Sequence, residues 1–236
     1  MQNYVKSNDN LFIDNGVLKI QPIYKRNTGS DGVTQEFSSA KIMTKNNFPF
    51  TFNSRITVCF KVPSGTGFWP AIWMLPFDEV TWPSGGEIDL MEAKGRIDPI
   101  DGDEGQKNII SSAVHFGTQW PDNRYISNRY YSSIGNDFQN YFHSVTLIFL
   151  EDKIDFYMNN EFDPYLTIRP SDVPLNQYDY PFNREYYLIL NVAVGGNFDN
   201  GRVRTEDFCS DSICSNHEDP DTKRFQIDWI EYENIN

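Results

Sequence analysis

The sequence has no apolar run approaching the roughly 18 residues that a membrane-spanning helix needs. It contains only three cysteines in 236 residues, and no paired Cys or His spacing typical of zinc. A sustained helical spacing of apolar residues is also absent, and the 13 prolines interrupt the chain too often for long helices. These absences argue against a membrane-spanning, a zinc-stabilised and a mostly helical protein.

Positive charge is scarce: 20 Lys and Arg residues against 33 Asp and Glu give a formal net charge of -13. Nucleic acids and anionic membranes carry the same sign, so neither is an expected partner. A neutral partner fits better, and the aromatic content of 15% suits a sugar-binding cleft as well as a core. Residues 1–6 lack the apolar centre of a signal peptide, so secretion would require a leader outside this sequence.

Short strand-like runs separated by turn clusters fill the sequence from end to end. Many short strands without intervening helices predict antiparallel sheets in a sandwich or a barrel. Because no long polar segment interrupts the pattern, we expect residues 1–236 to form a single domain. The polar stretches 125–140 and 199–222 predict loops, and Cys209 and Cys214 lie close enough in the second to form a local disulfide.

Residues 87–92, Glu-Ile-Asp-Leu-Met-Glu, place three acids in a strand that is otherwise apolar. In a regular strand, Glu87 and Asp89 share one face and Glu92 points to the other. One extra residue around Leu90–Met91, a β-bulge, would return Glu92 to the face of the other two acids. Since bulges are common beside active sites, we predict one here.

A solvated edge strand is the ordinary explanation for three acids in one strand. No Lys or Arg is interleaved to neutralise these acids, however, and Trp69, Trp73 and Trp82 flank them. Three like charges in a partly dry cleft raise one another's pKa, so one carboxyl should hold a proton at neutral pH. Retaining glycoside hydrolysis requires two such carboxyls about 5–5.5 Å apart. Asp89, the shorter acid in the middle, is expected to orient Glu87.

With these residues, the sequence resembles glycoside hydrolase family 16, and within it the laminarinase-like branch that acts on β-1,3-glucan. Residues 87–92 are similar to the family's bulged E-x-D-x-x-E signature. Other similar segments, in family order, are residues 67–76, 114–117 with 120–121, 191–198 and 226–230. The resemblance implies a jelly-roll, concanavalin A-like sandwich with a concave substrate cleft. It also implies that Glu87 is the nucleophile, that Asp89 assists it, and that Glu92 is the general acid/base.

Several further site residues follow from the same resemblance and from side-chain chemistry. Trp82, five residues before Glu87, is the best candidate for a platform on which a pyranose ring stacks. Trp120 is a second platform, and His115 can hydrogen-bond the substrate or the acid pair. The remaining residues predicted on the substrate side are Trp69, Trp73, Arg55 and Asn197.

Family members often bind a structural Ca²⁺ far from the acids, and Asp228 matches the aspartate that they use on the last strand. Catalysis itself is expected to need no cofactor. The resemblance predicts a secreted, monomeric, retaining endo-β-1,3-glucanase whose partner is the polysaccharide. Two alternatives stay open: a non-catalytic β-1,3-glucan-recognition module, and the same chemistry on mixed-linkage β-1,3-1,4-glucan or agarose. The net charge and the scarcity of Lys and Arg near the motif disfavour anionic carrageenan.

Overall fold

A computed structural model describes residues 2–159, 162–174 and 179–235 of the chain. The strands are β1 (Gln2–Tyr4), β2 (Leu11–Asp14), β3 (Val17–Ile20), β4 (Ile23–Thr28), β5 (Thr34–Ser39), β6 (Lys41–Met43), β7 (Ser54–Lys61), β8 (Phe68–Pro76), β9 (Glu87–Glu92), β10 (Ile109–Gly117), β11 (Asn123–Tyr131), β12 (His143–Phe149), β13 (Ile154–Met158), β14 (Leu166–Ile168), β15 (Tyr186–Val194) and β16 (Phe225–Asn234). Helical structure in these ranges is limited to short 3₁₀ turns. None of their helices is long and apolar enough to span a bilayer.

Two large antiparallel sheets carry most of the strands. The six-stranded sheet has the order β11-β10-β9-β8-β15-β6, and the seven-stranded sheet has the order β14-β13-β12-β7-β16-β3-β2. A small third sheet, β1-β5-β4, includes the parallel pair β1 and β5. The predicted all-β antiparallel sandwich is therefore confirmed, whereas the extent of a single domain over residues 1–236 stays a prediction.

The inward faces of the two large sheets form one apolar core. Alternate residues of β7, namely Ile56, Val58 and Phe60, are fully buried in it, as are Ile72 and Met74 of β8. This is the period of two that a strand imposes on its side chains. Because the even-numbered residues of β8 enter the core, the odd-numbered ones must face the opposite side of the six-stranded sheet.

The polar stretch 125–140 is only partly a loop. Residues 123–131 form β11, the edge strand of the six-stranded sheet, which pairs with β10 along its whole length. An edge strand buries little of its surface, so its polar composition concealed it. The second predicted loop is irregular as expected, and the disulfide between Cys209 and Cys214 is formed, whereas Cys59 is a buried free thiol.

Candidate active site

The acid strand β9 contains the predicted bulge. Against β10, Asp89 pairs with Ala113 and Glu92 pairs with Ser111, so three steps along β9 match two steps along β10. Against β8, Asp89 pairs with Trp73 and Met91 with Ile72, which leaves Leu90 as the extra residue. Leu90 and Met91 both enter the core, and Glu92 returns to the outer face.

Glu87, Asp89 and Glu92 therefore lie together on the outer face of the six-stranded sheet. Asp89 is only 3% exposed, whereas the two glutamates are half-buried. The neighbouring strands support them from both sides: Trp69 Nε1 of β8 donates to Glu92 Oε1 at 2.8 Å, and His115 of β10 pairs in register with Glu87. The sequence motif thus becomes a three-dimensional cluster of carboxyls.

Burial and mutual repulsion govern the protonation of this cluster. Desolvation, followed by the charge of Asp89, raises the pKa of Glu87 to about 8. Desolvation and the charge of Glu92 raise the pKa of Asp89 well above its usual range. Desolvation also raises the pKa of Glu92, although the hydrogen bond from Trp69 opposes that rise. The cluster therefore retains protons at neutral pH, and those protons belong to the coupled group of carboxyls.

His115 lies against the middle acid. Its Nε2 is 3.3 Å from Asp89 Oδ2, a close polar contact that is not aligned as a hydrogen bond. One polar atom from each of Glu87, Asp89 and His115 lies within 4.8 Å of the others. The imidazole lies against Tyr125 of β11 in a tilted arrangement, with ring centroids 5.7 Å apart. His115 thus lies beside the acids, and its hydrogen bonding to the acid pair or to substrate stays a prediction.

Tryptophans form an aromatic wall beyond Glu87. The Trp82 ring lies 6.3 Å from the His115 ring and 5.9 Å from the Trp120 ring. Trp120 is 68% exposed, so its face is open to a ligand. The Trp82 Nε1 proton is buried and makes no hydrogen bond of standard geometry, yet it is close enough to Glu87 to favour the ionised carboxylate. Both predicted platforms therefore lie beside the acids, and stacking of sugar on them stays a prediction.

Trp69 and Trp73 both lie on the acid face of β8, each held by neighbouring residues. Trp69 stacks on Phe198 with a centroid separation of 4.9 Å. Trp73 Nε1 donates to Asn191 Oδ1 of β15 at 2.6 Å. These contacts hold both rings on the face that carries the acids, and Trp69 touches Glu92 directly. The substrate contacts of Trp69 and Trp73 stay predictions.

Open pockets adjoin the acids on both sides. A pocket of about 330 Å³ beside Glu92 is lined by residues that include Lys94, Gln106, Tyr125 and Arg129. A pocket of about 390 Å³ on the other side includes Trp82 in its wall. Lys94, two residues after Glu92, and Arg129 of β11 both reach the Glu92 pocket, which corrects the expectation that Lys and Arg are scarce near the motif. Lys94 is paired with Asp199 at 3.6 Å and Arg129 with Glu104 at 3.6 Å, so neither cation is uncompensated.

The structure does not bring Arg55 to the acids. Arg55 lies on β7 in the opposite sheet, and its neighbour Ile56 enters the core, so the arginine faces away from the cleft. Its Nη1 pairs with Glu233 Oε1 at 3.1 Å on β16. The predicted substrate contact of Arg55 is therefore wrong, because sequence similarity did not reveal which sheet this strand joins.

Asn197 lies at the Glu92 end of the cleft. It is exposed in the 3₁₀ turn Asn197–Asp199, next to Phe198, which stacks on Trp69. The substrate contact of Asn197 stays a prediction.

Asp228 offers poor support for calcium. It is the extra residue of a bulge in β16, and its side chain is exposed. Within the described ranges, Glu87, Asp89 and His115 are the one group of three or more Asp, Glu, His or Cys residues whose ligand atoms lie within 4.8 Å of one another, and Asp228 is not part of it. Since Ca²⁺ takes six to eight oxygen ligands, a single exposed carboxylate does not fit the ion by itself. The calcium site stays a prediction.

Residues that the sequence did not reveal complete the cleft. Tyr125 and Arg129 lie on the edge strand β11, which was not recognised as a strand because it is polar. Lys94 and Phe198 meet beside Trp69, and Lys94 Nζ lies 5.3 Å from the centre of the Phe198 ring. Alternation along β11 could have indicated its inward residues, Ile126 and Tyr130. The contact between Lys94 and Phe198 spans half the chain, so no local pattern predicts it.

Known proteins resemble this chain over most of its length. A protein-family model described as the XgeA-like, catalytic GH16 domain matches residues 2–98. Glucan endo-1,3-beta-glucosidase A1 of Niallia circulans is 36% identical over 86% of this chain and 29% of its own length. A beta-1,3-glucan-binding protein of Penaeus monodon is 32% identical over 79% of this chain and 52% of its own. This chain therefore spans less than two thirds of either relative.

The fold resembles a solved enzyme as well. The endo-beta-1,3-glucanase from Pyrococcus furiosus superposes with a TM-score of 0.78, covering 96% of this chain and 78% of that one at 26% identity. Because the superposition covers 96% of this chain, it includes most of both large sheets.

Proposed function

The chain belongs to glycoside hydrolase family 16, in its laminarinase-like branch, and from this premise we propose that it is a retaining endo-β-1,3-glucanase. The single observation that carries the proposal is the bulge in β9, which puts three carboxyls on one face between two open pockets. A polysaccharide can lie across such a face with sugars on both sides of the scissile bond. This is the geometry that internal cleavage requires.

In the first step, protonated Glu92 donates its proton to the glycosidic oxygen while the Glu87 carboxylate attacks the anomeric carbon. The glycosidic bond breaks, the leaving sugar takes the proton, and a covalent glycosyl ester forms on Glu87. In the second step, Glu92 takes a proton from water, whose oxygen attacks the same carbon and releases Glu87. Two inversions give net retention of configuration.

The contacts of the cluster support this division of roles. Trp69 donates to Glu92 and holds it in place, while Asp89 and His115 lie behind Glu87. The raised pKa of Glu87, about 8, means that Glu87 holds a proton in most molecules at neutral pH, so the reactive form is the one in which the shared proton lies on Glu92 and Glu87 is ionised. Asp89 is buried, so we assign to it the orientation of Glu87 and no contact with the sugar.

A substrate panel tests the proposed specificity. We expect the protein to release reducing ends from laminarin faster than from lichenan, agarose or carrageenan, because a relative at 36% identity is named a glucan endo-1,3-beta-glucosidase. Glu87→Gln, which keeps the size of the side chain, should remove the activity on laminarin. Faster hydrolysis of agarose or lichenan would assign the same chemistry to another polysaccharide.

A non-catalytic glucan-recognition module is the second candidate, because one relative at 32% identity is named a beta-1,3-glucan-binding protein. The presence of all three carboxyls on one face favours the enzyme. Binding and hydrolysis of laminarin, measured on the same preparation, separate the two functions. A protein that binds laminarin and never releases reducing ends would be a recognition module.

We also propose that the protein acts outside the cell on polysaccharide, as a monomer, and that neither nucleic acid nor membrane is its partner. Its net charge of -13 repels both of these anionic partners. Light scattering at micromolar concentration tests the oligomeric state, and a dimer mass would contradict this part of the proposal.

A further inference from the structure

The extra residue in β9 creates a backbone problem inside the core. Leu90 has no register partner on β8 or on β10, so the regular ladder is interrupted at this residue. Its side chain is 0% exposed, and water is therefore excluded from the surroundings. A buried carbonyl needs a hydrogen-bond partner, and where the ladder is interrupted a side chain can supply one.

Ser112 is that group. It lies on β10 between the two residues that pair with Asp89 and Glu92, directly opposite the bulge, and it is 0% exposed. Its Oγ donates to the Leu90 carbonyl oxygen. A hydroxyl has one proton, so the second hydrogen bond of Ser112, to the Tyr165 hydroxyl, must be donated by the tyrosine.

Tyr165 is anchored to both large sheets. Its backbone N–H donates to the Phe156 carbonyl of β13 at 2.9 Å. Its own carbonyl accepts from Asn128 Nδ2 of β11 at 2.6 Å, and its ring packs edge-on against Tyr130 at 5.4 Å. A continuous chain of contacts thus runs from the seven-stranded sheet through the core to the bulge under the acids.

We propose that Ser112 and Tyr165 are positioning residues that fix the bulge at Leu90 and thereby fix Glu92 relative to Glu87. This inference rests on the proposed function. The alternative position of the bulge explains why fixing matters. If the extra residue moved past Glu92, strand alternation would turn Met91 toward the cleft and Glu92 into the core. Neither residue touches the substrate, so both act through the backbone of β9.

The test compares two serines that make the same kind of hydrogen bond. Ser39 is also 0% exposed, and its Oγ donates to the Val192 carbonyl at 2.7 Å, at a place where β15 has no bulge. Ser112→Ala and Ser39→Ala should lower the melting temperature by similar amounts. Only Ser112→Ala should reduce kcat on laminarin, by about tenfold with KM changed less than about twofold, because a small misplacement of a catalytic group is costly.

A second measurement does not depend on activity. In the parent and each variant, NMR titration of ¹³C-labelled glutamate side chains follows Glu87 and Glu92 directly. We expect Ser112→Ala to shift their titration and the pH profile of kcat, and Ser39→Ala to leave both unchanged. Tyr165→Phe, which keeps the ring, should change both in the same direction as Ser112→Ala, and it serves as the test variant if Ser112→Ala does not fold.

These experiments distinguish failure of the proposed function from failure of the positioning role. A parent protein that hydrolyses no glucan contradicts the proposed function, and the titration then still decides the role of the two residues. Equal losses of stability in both serine variants, with unchanged kinetics and unchanged carboxyl titration in Ser112→Ala and in Tyr165→Phe, would overturn the positioning role.

Discussion

Each of the two large sheets contains a β-bulge, and the surroundings of the two bulges are opposite. In β9, the extra residue Leu90 is fully buried and lies between two hydrogen-bonded neighbours, β8 and β10. In β16, the extra residue Asp228 is exposed, and beyond Ile227 the strand pairs with β7 alone. The same backbone irregularity therefore buries the side chain of the extra residue in one sheet and leaves it in solvent in the other.

The difference shows what makes a bulge functional. The bulge in β9 delivers Glu92 to a face that already holds Glu87 and Asp89, next to open pockets. The bulge in β16 is followed by Trp229, which is 44% exposed. A bulge redirects side chains in both cases, but only in β9 do the redirected groups meet others with which they can react.

The largest expected effect is a difference in activity between variants of the acids on β9 and a variant of Asp228 on β16. Glu87→Ala and Glu92→Ala should each lower kcat on laminarin by more than about 10²-fold, since each removes a group that bonds or transfers a proton. Asp228→Ala should leave kcat within about twofold. Reducing-end assays on the three purified variants check this, and a comparable loss in Asp228→Ala would end the contrast between the bulges.

The next effect concerns the middle acid. Asp89→Asn should lower kcat about tenfold, because the amide orients Glu87 less well. Desolvation is the main cause of the raised pKa of Glu87, and the charge of Asp89 is the second. Removing that charge lowers the pKa of Glu87, so the acidic limb of kcat/KM should move to lower pH. An acidic limb of kcat/KM that keeps its position or moves to higher pH would mean that Asp89 does not act on Glu87.

The folding stability of the protein should depend on pH because the Glu87 carboxyl is buried. The folded-state pKa of Glu87 is raised from about 4.5 to about 8, so between these pH values the folded state binds more protons than the unfolded state. Stability must then fall as pH rises through this window. Glu87→Gln should raise the melting temperature at pH 8 by roughly 4–8 °C, equivalent to about 2 kcal/mol, and change it little at pH 4.

Asp228→Asn, at the exposed bulge, is the matched control for this experiment. Calorimetry at both pH values should show no such difference for it. A Glu87→Gln protein that is stabilised equally at pH 4 and pH 8 would contradict the burial of an ionisable group at position 87.

The smallest expected effect compares two tryptophans beside the bulges. Desolvation raises the pKa of Glu92, and the indole of Trp69 opposes that rise. Trp69→Phe should therefore raise the pKa of Glu92 further and move the alkaline limb of kcat/KM to higher pH, with a rate loss of only a few-fold. Trp229→Phe should change neither quantity. A shift toward lower pH in Trp69→Phe would show that the indole does not stabilise the ionised form.

The bulge in β9 could be predicted from the sequence because the three acids can take part in one reaction only if Glu92 lies on the same face as Glu87 and Asp89. No such functional argument applies to β16, and the sequence pattern of this strand does not indicate the bulge at Asp228. Arg55 was placed wrongly because the choice of sheet depends on long-range pairing. The edge strand β11 was missed because its outer face is polar, and the hydrogen bond between Ser112 and Leu90 depends on a register that local patterns do not reveal.

The central claim is that the bulge gives Glu87 and Glu92 different roles at one glycosidic bond. Azide rescue of Glu87→Ala and Glu92→Ala, with a dinitrophenyl β-laminaribioside as substrate, tests it most directly. Glu87→Ala should form the α-glycosyl azide in one inversion, whereas Glu92→Ala should form the β-azide through the ester on Glu87. The same anomer from both variants, identified by proton NMR, would contradict the assignment.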